Sequence, residues 1–83
     1  MITIYKGIVK FFNMALGYGF IIEDKTNINY FVHHTGLEDH IRSGDKVEFM
    51  LVETNKGPSA THVKLIDKQT LINTMQWKQY MRN

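Results

Sequence analysis

Short apolar stretches recur along most of the chain, each interrupted by polar or glycine-containing positions. Isoleucine, valine, phenylalanine and tyrosine dominate these stretches, and such side chains are typical of strands. The pattern predicts five strands, at residues 4–13, 18–23, 29–33, 46–53 and 60–66. Because the connections are short, these strands are expected to close into a small barrel that leaves no exposed sheet edge.

The segments between the predicted strands have the composition of turns. Residues 13–17 form a short connection, and residues 23–29 are polar apart from Ile28. Residues 55–58 are Asn-Lys-Gly-Pro, which is a strong turn signal, and residues 35–45 make the longest connection. The turns therefore support the division into five strands.

The last part of the chain, residues 67–83, has a different pattern. On a helix, Leu71, Ile72 and Met75 would share one side, and the remaining large apolar residues, Trp77, Tyr80 and Met81, would lie on the rest of the circumference. We therefore expect a short C-terminal helix that packs on the barrel or on a second subunit. The predicted organisation is a barrel over residues 1–66 followed by an extension over residues 67–83.

Aromatic side chains occupy alternate positions in the second and third predicted strands. Successive side chains of a strand point to opposite faces, so Tyr18 and Phe20 share a face, as do Phe31 and His33. If the strands pair with these faces aligned, the four rings form one platform suited to stacking nucleic-acid bases. Tyr30 has the opposite parity and is expected to point inward.

Length and composition limit the number of domains, the kinds of site and the locations expected for this chain. The 83 residues suffice for one small domain, and the absence of cysteine excludes disulfides and thiolate-ligated metal sites. The chain lacks the pattern of a secretory leader, and no apolar run approaches the roughly 20 residues of a membrane helix. A cytoplasmic location without membrane contact is expected.

The net charge of +2 by itself says little about partners, but its distribution is informative. The first 22 residues contain Lys6 and Lys10 and no carboxylate, and they also contain several of the aromatic residues. Positive charge and rings therefore coincide, which is a feature of nucleic-acid-binding surfaces.

Four short motifs occur along the chain in the order found in a known protein family. They are Gly-Ile-Val-Lys-Phe-Phe-Asn at 7–13, Gly-Tyr-Gly-Phe-Ile at 17–21, Phe-Val-His at 31–33 and Lys-Gly-Pro-Ser-Ala at 56–60. Together they resemble the cold-shock domain, and the second and third correspond to that family's two ribonucleoprotein motifs. The resemblance implies an all-β, five-stranded antiparallel oligonucleotide-binding (OB) barrel. It also implies non-catalytic binding of single-stranded RNA or DNA, as an RNA chaperone or a regulator of transcription or translation.

The resemblance also assigns candidate binding residues. The family's base-stacking positions fall on Phe11, Phe12, Tyr18, Phe20, Phe31, His33 and His34, and neighbouring basic contacts fall on Lys10 and Lys56. At three positions the chain departs from the family's usual residues, with Phe11 for Trp, Leu16 for Lys and His34 for Phe. These changes predict a platform with a smaller ring, a less basic edge and a second ionisable ring besides that of His33.

Some aromatic and apolar residues are needed for the core. The candidates for the interior are Ile8, Val9, Ile21, Val32, Val47, Phe49, Leu51 and Val63. Phe11 and Phe12 are adjacent, so a regular strand places them on opposite faces unless a bulge turns both outward. Either of them can therefore belong to the core.

Other functions receive less support from the sequence. His33 and His34 are adjacent in the sequence and lack a third ligand at metal spacing, so no metal or other cofactor is expected. The acidic residues lie mostly in turns, away from the ring-bearing segments, which argues against an enzyme. The alternative from a different class is a protein-interaction or homodimerisation module that uses residues 69–83.

Overall fold

The strands of the computed structural model, which describes residues 2–66, follow the apolar stretches of the sequence. They are β1 (Tyr5–Asn13), β2 (Tyr18–Glu23), β3 (Asn29–His33), β4 (Lys46–Thr54) and β5 (Gly57–Leu65). A 3₁₀ turn at His34–Gly36 follows β3. The predicted helix in the C-terminal extension lies outside the described residues.

The beginning of β5 differs from the prediction. The strand starts at Gly57 rather than at residue 60, because Gly57 pairs with Thr54 and Pro58 pairs with Glu53. A two-residue loop, Asn55 and Lys56, therefore joins β4 to β5. The turn thus ends after Lys56, because Gly57 and Pro58 already belong to the hairpin ladder.

The strands of residues 2–66 close into a barrel in the order β1-β2-β3-β5-β4. The predicted five-stranded barrel is therefore confirmed. Antiparallel pairing holds for β1–β2, β2–β3, β1–β4 and β4–β5, whereas β3 and β5 are parallel. An odd number of strands closed into a ring cannot alternate in direction at every pair, so one parallel pair is unavoidable.

The barrel interior is filled mainly by β-branched and aromatic side chains. The buried hydrophobic residues are Val9, Ile21, Val32, Ile41, Val47, Phe49, Ala60 and Val63. Phe49 contacts the rings of Tyr5 and Tyr30, with centroid distances of 5.8 and 6.1 Å. The inward position predicted for Tyr30 is confirmed, since this residue packs against the core.

One predicted core residue was assigned to the wrong face. Ile8 is 40% exposed, because Gly7 and Val9 on either side of it occupy the inward positions of β1. Its strand partners are Ile22 and Lys46. Leu51 is only partly buried and packs against the edge of the core.

No helix within residues 2–66 has the length and apolar character needed to cross a membrane.

The turn between β2 and β3 is organised by the carboxylate of Glu23. Its Oε1 accepts hydrogen bonds from the Thr26 hydroxyl at 2.6 Å and the Thr26 N–H at 3.1 Å, and its Oε2 accepts one from the Lys25 N–H at 3.1 Å. The Thr26 hydroxyl contributes most to lowering the pKa of Glu23, and the backbone bonds add to it. These bonds outweigh the opposing effect of burial.

We predict that Glu23→Gln flattens the pH dependence of stability. A carboxyl whose pKa is lowered by folding stabilises the protein above the ordinary glutamate range, and this contribution is lost as the pH falls through the folded-state pKa. Urea unfolding should therefore show a larger loss of stability on acidification for the parent than for the variant. Parallel pH curves for the two proteins would contradict this role of Glu23.

Gly19 allows β1 and β2 to approach closely where the aromatic residues lie. A Cβ at this position would overlap the carbonyl oxygen of Phe11 and lie 2.7 Å from the Cα of Phe12, both of which belong to β1 backbone. Because backbone atoms cannot rotate away as a side chain can, the strands would have to separate.

We predict that Gly19→Ala lowers the free energy of unfolding by about 1–3 kcal/mol or more, as expected for overpacking. Urea denaturation of both proteins provides the measurement. A change within about 0.5 kcal/mol, the range of ordinary surface substitutions, would show that the strands accommodate the methyl group.

Candidate nucleic-acid interface

Strand register brings the aromatic residues of β1, β2 and β3 together on the outer face of the barrel. Phe11 pairs with Phe20, and Phe20 pairs with Phe31, so three rings form one row across three strands. Tyr18 pairs with His33 in the adjacent row. The predicted alignment of the ring-bearing faces of β2 and β3 is therefore confirmed.

Four of these rings form a continuous cluster. Phe11 lies 5.7 Å from Phe20, Phe20 lies 5.8 Å from Phe31, and Phe31 lies 5.8 Å from Tyr18, measured between centroids. Tyr18 closes the cycle with Phe11 at 6.1 Å. Each ring therefore touches two others, and we call this set, Phe11, Tyr18, Phe20 and Phe31, the ring platform.

The geometry of the contacts leaves aromatic surface open to solvent. Tyr18 and Phe31 are nearly parallel, with an interplanar angle of 19°, whereas Phe20 meets Phe31 edge to face at 78°. Phe11 and Phe31 are 37% and 39% exposed, and Tyr18 and Phe20 are half-buried. Rings that support one another in this way are held in place while part of each remains accessible.

A β-bulge in β1 decides which of the adjacent phenylalanines joins the platform. The pairing with β2 shifts between Val9 and Phe11, so Lys10 is the extra residue of the bulge. Val9 is buried and Phe11 turns outward. Phe12 is half-buried and packs against the core, apart from the four rings of the platform.

The two histidines lie at one edge of the platform. His33 Nδ1 is 2.9 Å from the Thr35 hydroxyl and accepts a 3.4 Å contact from the Thr35 N–H, which fixes its ring beside the 3₁₀ turn. The rings of His33 and His34 are 4.3 Å apart. His34 lies against Gly17, where an added Cβ would be 2.8 Å from its Cδ2. His33 thus borders Tyr18, and His34 lies further out.

The two lysines lie on different sides of the platform. Lys10 precedes Phe11 in the bulge, and its carbonyl accepts a hydrogen bond from the Ser43 hydroxyl at 3.1 Å. Lys56 lies in the β4–β5 loop and lines a groove of about 600 Å³ beside Phe31. Both lysine side chains are exposed. Cations therefore flank the rings at two separate points.

The groove beside Phe31 also contains residues that the sequence analysis did not single out. Val52, Thr54 and Pro58 line it together with Phe31 and Lys56. Val52 is 48% exposed and offers a further apolar surface next to the rings. The parallel pairing of Phe31 with Ser59 brings these segments together, and the Ser59 hydroxyl donates to the Phe31 carbonyl at 3.0 Å.

The strand positions paired with the platform rings carry no carboxylate within residues 2–66. Within the described strands, the partners of the four rings outside the cluster are Asn13, His33 and Ser59, none of which is acidic. Nor do three histidine or acidic side chains within residues 2–66 come together as a group that could hold a metal ion. The arrangement thus combines open aromatic faces with nearby lysines.

The chain is similar to known proteins of one family. The family model described as "'Cold-shock' DNA-binding domain" matches residues 5–66. A cold shock-like protein of Aquifex aeolicus is 41% identical over 66 residues, which covers 75% of this chain and 94% of that protein. A cold shock-like protein of Thermotoga maritima is 39% identical over 66 residues, with coverage of 75% and 98%.

Solved structures show the same fold at lower identity. Drosophila Unr CSD456 superposes with a TM-score of 0.64 and 21% identity, covering 77% of this chain and 27% of that one. CusF-Ag(I) from Escherichia coli has a TM-score of 0.59 and 19% identity, with coverage of 80% and 92%. These two likenesses concern the fold alone. The match to the family model and the identity to full-length relatives show that the chain belongs to the cold-shock domain family.

Proposed function

We propose that this protein binds single-stranded RNA or DNA without catalysis, by stacking unpaired bases on the ring platform. The observation that supports this most is the closed cycle of contacts among the four partly exposed rings. Duplex DNA or RNA hides its base faces, so open aromatic surfaces are complementary to unpaired bases. The family to which the chain belongs is described as DNA-binding, which supports the same class of ligand.

Preorganisation of the rings favours binding. Each ring already contacts two neighbours, so little side-chain freedom remains to be lost when a base stacks on it. A stacked base contributes about 1–3 kcal/mol per ring. Two or three stacks therefore offset a substantial part of the entropic cost of ordering a flexible strand.

The lysines supply the sequence-independent part of the affinity. Lys10 beside Phe11 and Lys56 beside Phe31 lie at positions where they can contact phosphates of a strand that crosses the rings. Leu16 is 66% exposed close to Tyr18, where the family usually has a lysine. We therefore assign the main phosphate contacts to Lys10 and Lys56.

The expected sequence tolerance fits a chaperone or regulatory role. Every base has a face that can stack, whereas discrimination requires hydrogen bonds to base edges. A protein that captures unpaired bases of many sequences opposes weak secondary structure in RNA. We therefore propose an RNA chaperone, or a regulator that acts on transcription or translation through the same binding.

We predict that Phe31→Leu weakens binding of short labelled oligo(U) and oligo(dT) at least about fivefold, whereas Phe31→Tyr stays within about twofold. Leucine keeps apolar bulk at this partly exposed position but removes the aromatic face, and tyrosine keeps that face. Fluorescence anisotropy titration measures the affinity of each variant for both strands.

The control is Ile4→Ala, which truncates another exposed apolar side chain outside the platform. It should leave the affinity unchanged, and thermal unfolding of all variants verifies that the barrel is intact. Equal affinities for the parent and Phe31→Leu, or the absence of binding by the parent, would contradict the proposed function.

A further inference from the structure

A second apolar surface lies at one end of the barrel, next to the histidine edge of the platform. It is a groove of about 880 Å³ whose floor and walls include Phe12, Leu37, Ile41 and Leu65. We call it the end groove. None of the four platform rings lines it, but Phe12 and His34, two of the other candidate stacking positions, do, so it borders the ring platform.

The β1–β2 connection forms part of the rim of the end groove, and it exposes large apolar side chains. Met14 and Leu16, in the β1–β2 connection, line the groove and are 68% and 66% exposed. Phe12, Leu37 and Leu65 beneath them are only partly buried. Single exposed apolar residues are ordinary, but here two of them border a groove whose wall also contains apolar side chains, so a docked apolar segment could contact both.

The chain leaves the barrel at the wall of this groove. Leu65 lines the groove, and its N–H donates to Asp39 Oδ2 at 3.0 Å. Ile66 is held by a hydrogen bond from its N–H to the Lys46 carbonyl at 3.1 Å. Ile66, after which 17 residues remain in the sequence, therefore directly follows a residue of the groove wall.

The composition of these 17 residues complements the groove. Their large apolar residues are Leu71, Ile72, Met75, Trp77, Tyr80 and Met81. Three of their four charges are positive, at Lys68, Lys78 and Arg82, with Asp67 as the exception. The groove is lined by Glu38 and Asp39, so a basic segment is attracted to it even though Glu38 also lies 3.7 Å from Lys64.

We propose that residues 67–83 dock into the end groove of their own barrel. Apolar side chains of this segment then cover Met14 and Leu16 and extend the core past Leu65. Docking adds buried apolar area to a domain that is small enough for each such contribution to matter. Because Phe12 and His34 line the groove, the docked segment covers two candidate base-stacking positions but none of the four rings of the platform.

Trp77 is the only tryptophan of the chain, so its fluorescence reports on this segment alone. The test compares acrylamide quenching of the full-length parent with that of Leu16→Lys and Met14→Lys. A lysine at the rim removes apolar contact and repels the basic segment. We expect the quenching constant of each variant to rise about twofold or more as the docked population falls, with a red shift of the emission.

The matched control is Ile28→Lys, which places the same charge on an exposed isoleucine in the β2–β3 turn, away from the end groove. It should quench like the parent, and all four proteins should unfold cooperatively. Equal quenching of Trp77 in the parent and both rim variants would overturn the proposal. Protection that disappears on dilution would overturn it as well, because the groove would then be filled by a second copy of the chain.

Discussion

The hydrogen-bond register of β1, β2 and β3 is the constraint on which the candidate site depends. It aligns Phe11, Phe20 and Phe31 in one row and places Tyr18 next to that row. A slip of one residue in β2 would move Tyr18 and Phe20 into the barrel and push Ile21 out. Since Ile21 is fully buried in the core, core packing and platform geometry are two results of the same register.

Features that depend only on side-chain alternation within one strand could be predicted from the sequence. Alternation groups Tyr18 with Phe20 in β2 and Phe31 with His33 in β3, and it places Tyr30 on the opposite face of β3. Features that depend on strand pairing could not be predicted in the same way. The bulge at Lys10 separates Phe11 from Phe12, and alternation alone could not decide between them. Ile8 was predicted to be in the core for a related reason. The inward position before Val9 is occupied by Gly7, which has no side chain to mark it as a core position, so the apolar Ile8 looked like the core residue.

Barrel closure accounts for the remaining differences. The parallel contact of β3 with β5 joins segments far apart in sequence, and it brings Lys56 and Val52 to the side of Phe31. The sequence pointed to Lys56 only through the family resemblance, and it gave no reason to select Val52. The same closure leaves the end groove open where β5 finishes. One small barrel thus presents an exposed aromatic face and, at the end where β5 finishes, an apolar groove.

The central claim is that unpaired bases stack on the ring platform, and nuclear magnetic resonance of the complex tests it most directly. Intermolecular nuclear Overhauser effects between base protons of a short oligo(U) or oligo(dT) and the ring protons of the protein identify which rings meet the bases. The account predicts such effects at Phe11, Tyr18, Phe20 and Phe31. Effects confined to residues of the end groove or the outer face of β4, with none at these four rings, would contradict it.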